Sequence, residues 1–134
     1  MQEVIVFPDA VLTITTYLRA ELTARSDTAT VGTRVPDIRP DRFIRIERLG
    51  GVRTNLVTDS ALITVECWAA SESAAAELGQ LVRALIFAAE GTTQTGVTIY
   101  KVTEVGGLAH FPDVDTEHER YVFTAQIGLR GTAE

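Results

Sequence analysis

The sequence predicts an α+β domain, a mainly antiparallel sheet of four to five strands with two principal helices packed on one face. Three observations lead there. A chain of 134 residues suits one core, so residues 1–134 are expected to form a single domain. Hydropathy switches between a period near 3.6 and a period of 2 in the order α-β-β-β-α-β-β. Strands that follow one another directly favour antiparallel pairing, while the second helix is long enough for one crossover to a parallel neighbour.

The first helix is expected from about Asp9 to Arg25. Pro8 and Asp9 suit its first turn, and Val11, Ile14, Leu18 and Leu22 form one stripe. Its threonines lower helix propensity, so packing must stabilise it. Thr30 to Val35 alternates as a short strand until Pro36 and Pro40 interrupt it. Arg42 to Leu49 alternates again, with Ile44 and Ile46 on one face and Phe43, Arg45 and Glu47 on the other; Gly50-Gly51 reads as its closing turn.

Ala61 to Ala69 places Ile63, Val65 and Cys67 on one face and Leu62, Thr64, Glu66 and Trp68 on the other. Ser71 is the expected N-cap of the second helix, with Glu72 in its first turn and Leu78, Leu81, Val82, Leu85, Ile86 and Ala89 at helical spacing up to Gly91. Val97 to Val105 and Arg120 to Leu129 are the last strands, with Gly106-Gly107 read as a turn opening an acidic loop that runs to Glu119. Gly51 to Ser60 is a second long loop, and both are expected to become ordered on assembly.

Parity sharpens the pairing. Keeping Ile44 and Ile46 beside Ile63, Val65 and Cys67 requires antiparallel partners whose residue numbers sum to an odd value. A sum of 111 sets Phe43 against Trp68 and Arg45 against Glu66. A sum of 113 sets Glu47 against Glu66, a like-charge pair that costs stability, so 111 is the predicted register.

The composition, 46% hydrophobic and 22% charged, is that of a globular chain. No apolar run approaches the roughly 20 residues that cross a bilayer, and MQEVIVFPDA lacks the pattern of a secretory signal, so no membrane association and a cytoplasmic origin are expected. The lone Cys67 excludes an internal disulfide and a multi-thiolate metal site, and its apolar setting predicts a buried, inert thiol.

Catalytic constellations are absent from the pattern, and no enzyme activity, cofactor or metal is expected. Ser60, Ser71 and Ser73 lack a Gly-x-Ser-x-Gly setting, and the paired glycines lack a phosphate-loop pattern. His110 and His118 lie in HFPDVDTEHE, whose spacing lacks the glycine and distal glutamate of an EF-hand loop. A small ligand- or metal-binding domain would have to use them with Asp113 and Asp115. A nucleic-acid binder would have to use the arginines around Phe43, against a net charge of −6.

That net charge is unevenly spread. Arg34 to Arg53 holds six arginines and three acids, a local surplus of +3, which leaves −9 for the rest. Lys101 is the only lysine among twelve basic residues, and arginine is the cation suited to planar, bidentate pairing at interfaces.

The proline-rich turn followed by RPDRFIRIERLGG, the strand ITVECWA running into SESAAAELGQLVRAL, and the closing RYVFTAQIGLRG resemble the tail terminator family of siphophages, especially those of actinobacterial hosts. The resemblance implies a structural virion protein, assembled in the bacterial cytoplasm and resident at the tail and neck. As a homo-hexameric ring it would cap the major tail tube protein, end tube polymerisation and form a docking surface for the head-completion or neck protein. Genomic DNA would pass the lumen without specific binding. Another neck component, such as a head-completion or stopper protein, is the nearest alternative.

A closed ring needs two different patches that meet head to tail. The chemically opposed candidates are the arginine segment with its aromatic neighbours (Arg39, Arg42, Phe43, Arg45, Arg48, Arg53 and Trp68) and the acidic loop from Glu104 to Glu119, with Asp113, Asp115 and Glu117. The arginine strand is expected near a subunit or tube contact, and part of the acidic surplus towards the lumen.

Overall fold

Two helices cover one face of a mixed six-stranded sheet in the structure, a computed structural model that describes residues 3–38, 40–112 and 118–134. The elements are β1 (Ile5–Val6), α1 (Ala10–Ala24), β2 (Thr30–Gly32), β3 (Arg42–Asn55), β4 (Thr58–Ala69), α2 (Glu72–Ala88), β5 (Thr93–Gln94), β6 (Val97–His110), β7 (Glu119–Arg130) and β8 (Thr132–Ala133). The large sheet has the order β2-β3-β4-β7-β6-β5, and β1 and β8 form a separate two-stranded pair.

The α+β class and the two helices on one face stand, and the sheet differs from expectation in three ways. It has six strands, because the two-residue β5 joins the five expected ones, of which β2 is shortened to Thr30–Gly32. It is mixed, because β2 lies parallel to β3. The crossover through α2 does join two strands of the same direction, β4 and β6, but β7 lies between them, antiparallel to both.

The predicted register is observed. Phe43 pairs with Trp68, Arg45 with Glu66, and the sum of 111 holds from Arg42 to Arg48. It then slips by one, because Leu49 is an extra residue between Arg48 and Gly50. Gly50-Gly51 therefore marks a bulge and not a turn, and the expected loop Gly51 to Ser60 is the outer half of a long hairpin whose tip is Leu56-Val57. Both glycines have positive φ, +118° and +107°, which only glycine adopts without strain. A Cβ on Gly51 would also lie 2.0 Å from the Ser60 carbonyl oxygen, whereas one on Gly50 would meet nothing.

The second glycine pair behaves alike. Gly106 and Gly107 sit inside β6, which runs on to His110, with shifts in pairing between Glu104 and Gly106 and between Gly106 and Ala109. Glycine weakens strand propensity, yet β6 continues five residues past the predicted end at Val105.

The helices form as their caps dictate. Asp9 is the N-cap of α1 and accepts the Leu12 amide at 3.0 Å; Ser71 caps α2 and accepts the Ala74 amide at 3.2 Å. The buried hydroxyls of Thr13 and Thr15 bond to the carbonyls of Asp9 and Leu12, one turn back, so these threonines enter the interior satisfied. Tyr17 Oη donates to the Leu85 carbonyl and ties α1 to α2.

Ile14, Leu18 and Leu22 of α1 and Leu78, Val82 and Ile86 of α2 close over Ile44, Ile46, Ile63, Val65, Cys67, Phe123, Ala125 and Ile127 as one contiguous core. Each large aliphatic side chain there contributes about 1.5–3 kcal/mol of burial. Cys67 is fully buried, and desolvation, reinforced by neighbouring Glu66, pushes its thiol far above the reactive range. No helix among the described residues is long and apolar enough to cross a membrane.

The two adjacent glycines offer a controlled test of the bulge. Gly50→Ala carries only the φ strain and is expected to cost about 1–2 kcal/mol. Gly51→Ala adds the clash with Ser60 and is expected to lower the urea midpoint clearly further at an unchanged m-value. Equal losses in the two variants would show that the Ser60 approach does not matter.

Candidate functional site

The face of the sheet away from the helices carries a compact polar and aromatic cluster. Phe43 on β3 and Trp68 on β4 are each 2% exposed and stack with ring centroids 5.2 Å apart at 11°, as their cross-strand pairing requires. The Arg120 guanidinium, from β7, lies 4.9 Å from the Trp68 ring centroid and 5.0 Å from that of Phe111, and its Nε donates to the Phe111 carbonyl at 2.8 Å. Glu66 lies between two cations, 3.1 Å from Arg45 and 3.3 Å from Arg120. Beside the cluster opens a depression of about 440 Å³, lined by Arg34, Arg45, Glu66, Trp68 and Arg120 among others.

The structure thus brings Phe43, Arg45 and Trp68 into one unit and separates them from the other arginines. Arg42 reaches back to Asp27 at 2.9 Å, and Asp27 also accepts the Ala29 amide, so this arginine fastens the turn after α1 to the start of β3. Arg48 pairs at 2.9 Å with Asp59, which is only 6% exposed, and its Nε donates to the Gly50 carbonyl. Arg53 donates to the Asn55 and Leu56 carbonyls at the hairpin tip and lies over the Phe7 ring. Most of the arginine surplus is therefore engaged in holding β3 in place. Arg39, Asp113, Asp115 and Glu117 lie outside the described residues.

Glu66 is where the predicted register puts it, opposite Arg45, whereas Arg120 is not among the residues expected at the site, although the sequence carries a signal for it. Extending the parity argument to β7 pairs Trp68 with Arg120 and Glu66 with Val122, which puts Arg120 on the same face as the aromatic pair. His110 stacks on Tyr121 at 5.0 Å and contacts Glu119 at 2.7 Å and Glu72 at 3.6 Å. The described residues contain no group of three or more His, Cys, Asp or Glu placed to hold a metal ion.

Among the described residues, both edges of the sheet carry backbone without a strand partner. On β3 the pairing with β2 ends at Arg45, which leaves Ile46 to Asn55 as an outer edge. On β6 the pairing with β5 stops at Thr98, Ile99 exchanges hydrogen bonds with Gly91 and Thr92, and the Val102 amide is taken by Glu90 at 2.9 Å. Beyond Val102 no described strand pairs with this edge as far as His110. The two edges differ chemically: Arg48 and Leu49 on one, Glu104 and Val105 on the other. Arg83 of α2 grips Glu104 through two 2.8 Å hydrogen bonds, which hold its carboxyl below the usual range.

The profile of phage tail termination proteins matches residues 6–134, nearly the whole chain. The chain belongs to that family. It is accordingly a structural component of a phage tail. It also shares its fold with a chain of the virion of a native gene transfer agent particle, at 12% identity and a TM-score of 0.68, with 91% of this chain and 95% of that chain covered. No curated protein matches the sequence.

Glu66→Ala removes the partly buried anion that Arg45 and Arg120 share and leaves Arg45 only its contact with the more exposed Glu47. A loss of about 2–3 kcal/mol in denaturant unfolding is expected. Arg25→Ala, which removes an exposed helix pair with Glu21, is expected to cost under about 0.5 kcal/mol. Similar losses in the two variants would remove Glu66 from the centre of this cluster.

Proposed function

We propose that this tail termination protein caps the tail tube as a homo-hexameric ring, ends tube polymerisation, and offers the docking surface for the head and neck. The family match over residues 6–134 carries the reading. The fold supports it, because the arginine-rich β3 and the strand β6 that presents Glu104 lie towards opposite edges of one sheet. Opposite and unlike edges are what a heterologous, closing contact requires.

The partners on this reading are further copies of the chain, the major tail tube protein and the head-completion or neck protein. The surplus of negative charge outside Arg34–Arg53 would repel DNA from the lumen wall and let the genome slide through without specific binding. On this reading Arg45 supports the subunit beside the contact. Its guanidinium is engaged by Glu66 and Glu47 at 3.1 and 3.0 Å within the subunit, so the available surface is the free edge beyond it.

Electron microscopy of the purified protein, alone and mixed with tail tubes, tests the reading. Six-fold rings seated at one end of each tube are expected, with no further tube growth from capped ends. A monomer that ignores tubes overturns it.

A further inference from the structure

Resting on the ring reading, we propose that the ring closes edge to edge: the β3 edge of one subunit docks on the β6 edge of the next, around Leu49 and Val105.

The heights of the two edges agree. One row of paired residues runs across the four central strands as Arg48, Ile63, Ala125 and Glu104. Arg48 and Glu104 therefore end the same row, about 14 Å apart at three strand spacings, and both lie on the helix-bearing face. A head-to-tail copy at zero stagger brings the Glu104 end of one row against the Arg48 end of the next.

Strand direction agrees as well. Successive strands in the order β3-β4-β7-β6 are antiparallel. Four is an even number, so β6 of a copy turned about an axis along the strands runs opposite to β3 and continues the alternation. Antiparallel pairing across the seam follows without any change in the subunit.

The side chains at this height complement each other. Leu49 is the extra residue of the bulge between Arg48 and Gly50, and Val105 lies at the register shift between Glu104 and Gly106. Both are large apolar residues left over half exposed, at 53% and 57%. Exposed apolar side chains on open edges are what soluble monomers avoid. Beside them, Arg48 with Asp59 and Glu104 with Arg83 would join into one alternating row of charge, Asp59–Arg48–Glu104–Arg83, half from each subunit. β2 occupies β3 up to Arg45 and Glu90 caps β6 at Val102. These limit the contact to about Ile46–Gly50 on one side and Thr103–Gly107 on the other. So short an edge falls well below the roughly 800 Å² per partner of a stable interface, and the tube end supplies the remainder.

Cysteine crosslinking on capped tubes reads this contact directly. Leu49→Cys and Val105→Cys are made singly and together, bound to tail tubes and treated with a short bismaleimide; the native Cys67 is fully buried and stays silent. The double variant is expected to give a ladder of covalent oligomers up to the ring, and an equal mixture of the single variants only dimers. Rings seen by microscopy without crosslinks in the double variant overturn the edge contact and leave the ring reading standing. Crosslinks within either single variant indicate an isologous contact and overturn it too. Failure of the wild-type chain to form rings on tubes overturns the ring reading and this contact with it.

Discussion

The pairing of β3 with β4 is the constraint on which the rest depends. Because side chains alternate, one register decides at once that Ile44 and Ile46 meet the helices and that Phe43 and Arg45 meet Trp68 and Glu66 on the far side. A slip by one residue would drive Arg45 and Glu47 into the apolar core. The stacked aromatic pair and the Arg45–Glu66 ion pair mark the correct register on one face, and the aliphatic contacts mark it on the other. Everything outward from this pair, including the position of β7 and the height of the β3 edge, is laid down against it.

Glycine explains why parts of this were legible in the sequence and parts were not. Periodicity found both helices, their caps and the central strands, because each has a buried face on one side. The same reasoning stopped β3 at Gly50 and β6 at Gly106, since glycine usually ends a strand. Here the glycines absorb register shifts, and whether a strand continues past one depends on the backbone beside it. For Gly51 that neighbour is the Ser60 carbonyl, nine residues further along the chain on the partner strand. The short strands β1, β5 and β8 have no period to detect, being two residues each. Their existence is a matter of tertiary placement.

The candidate site divides in the same way. The aromatic pair and its ionic neighbour follow from parity, and the same parity on β7 places Arg120 opposite Trp68. The fate of Arg42, Arg48 and Arg53 was not readable. A run of arginines on a strand looks like a free basic surface, yet each finds an internal acceptor: Asp27, Asp59, or the carbonyls of the hairpin tip. Two of these partners lie on other elements. What distinguishes the edge is what the internal bonds leave over, a pair of apolar side chains at matched heights.

Trp68 has one more consequence. It is the only tryptophan in the chain, held 2% exposed between a phenylalanine and a guanidinium, beside the depression lined by Arg34 and Arg45. Its emission therefore comes from a single environment, without the averaging that several indoles impose. The subunit carries a built-in optical reporter at the corner where three strands and the segment after β2 converge, and whatever settles into that depression changes the field around one chromophore.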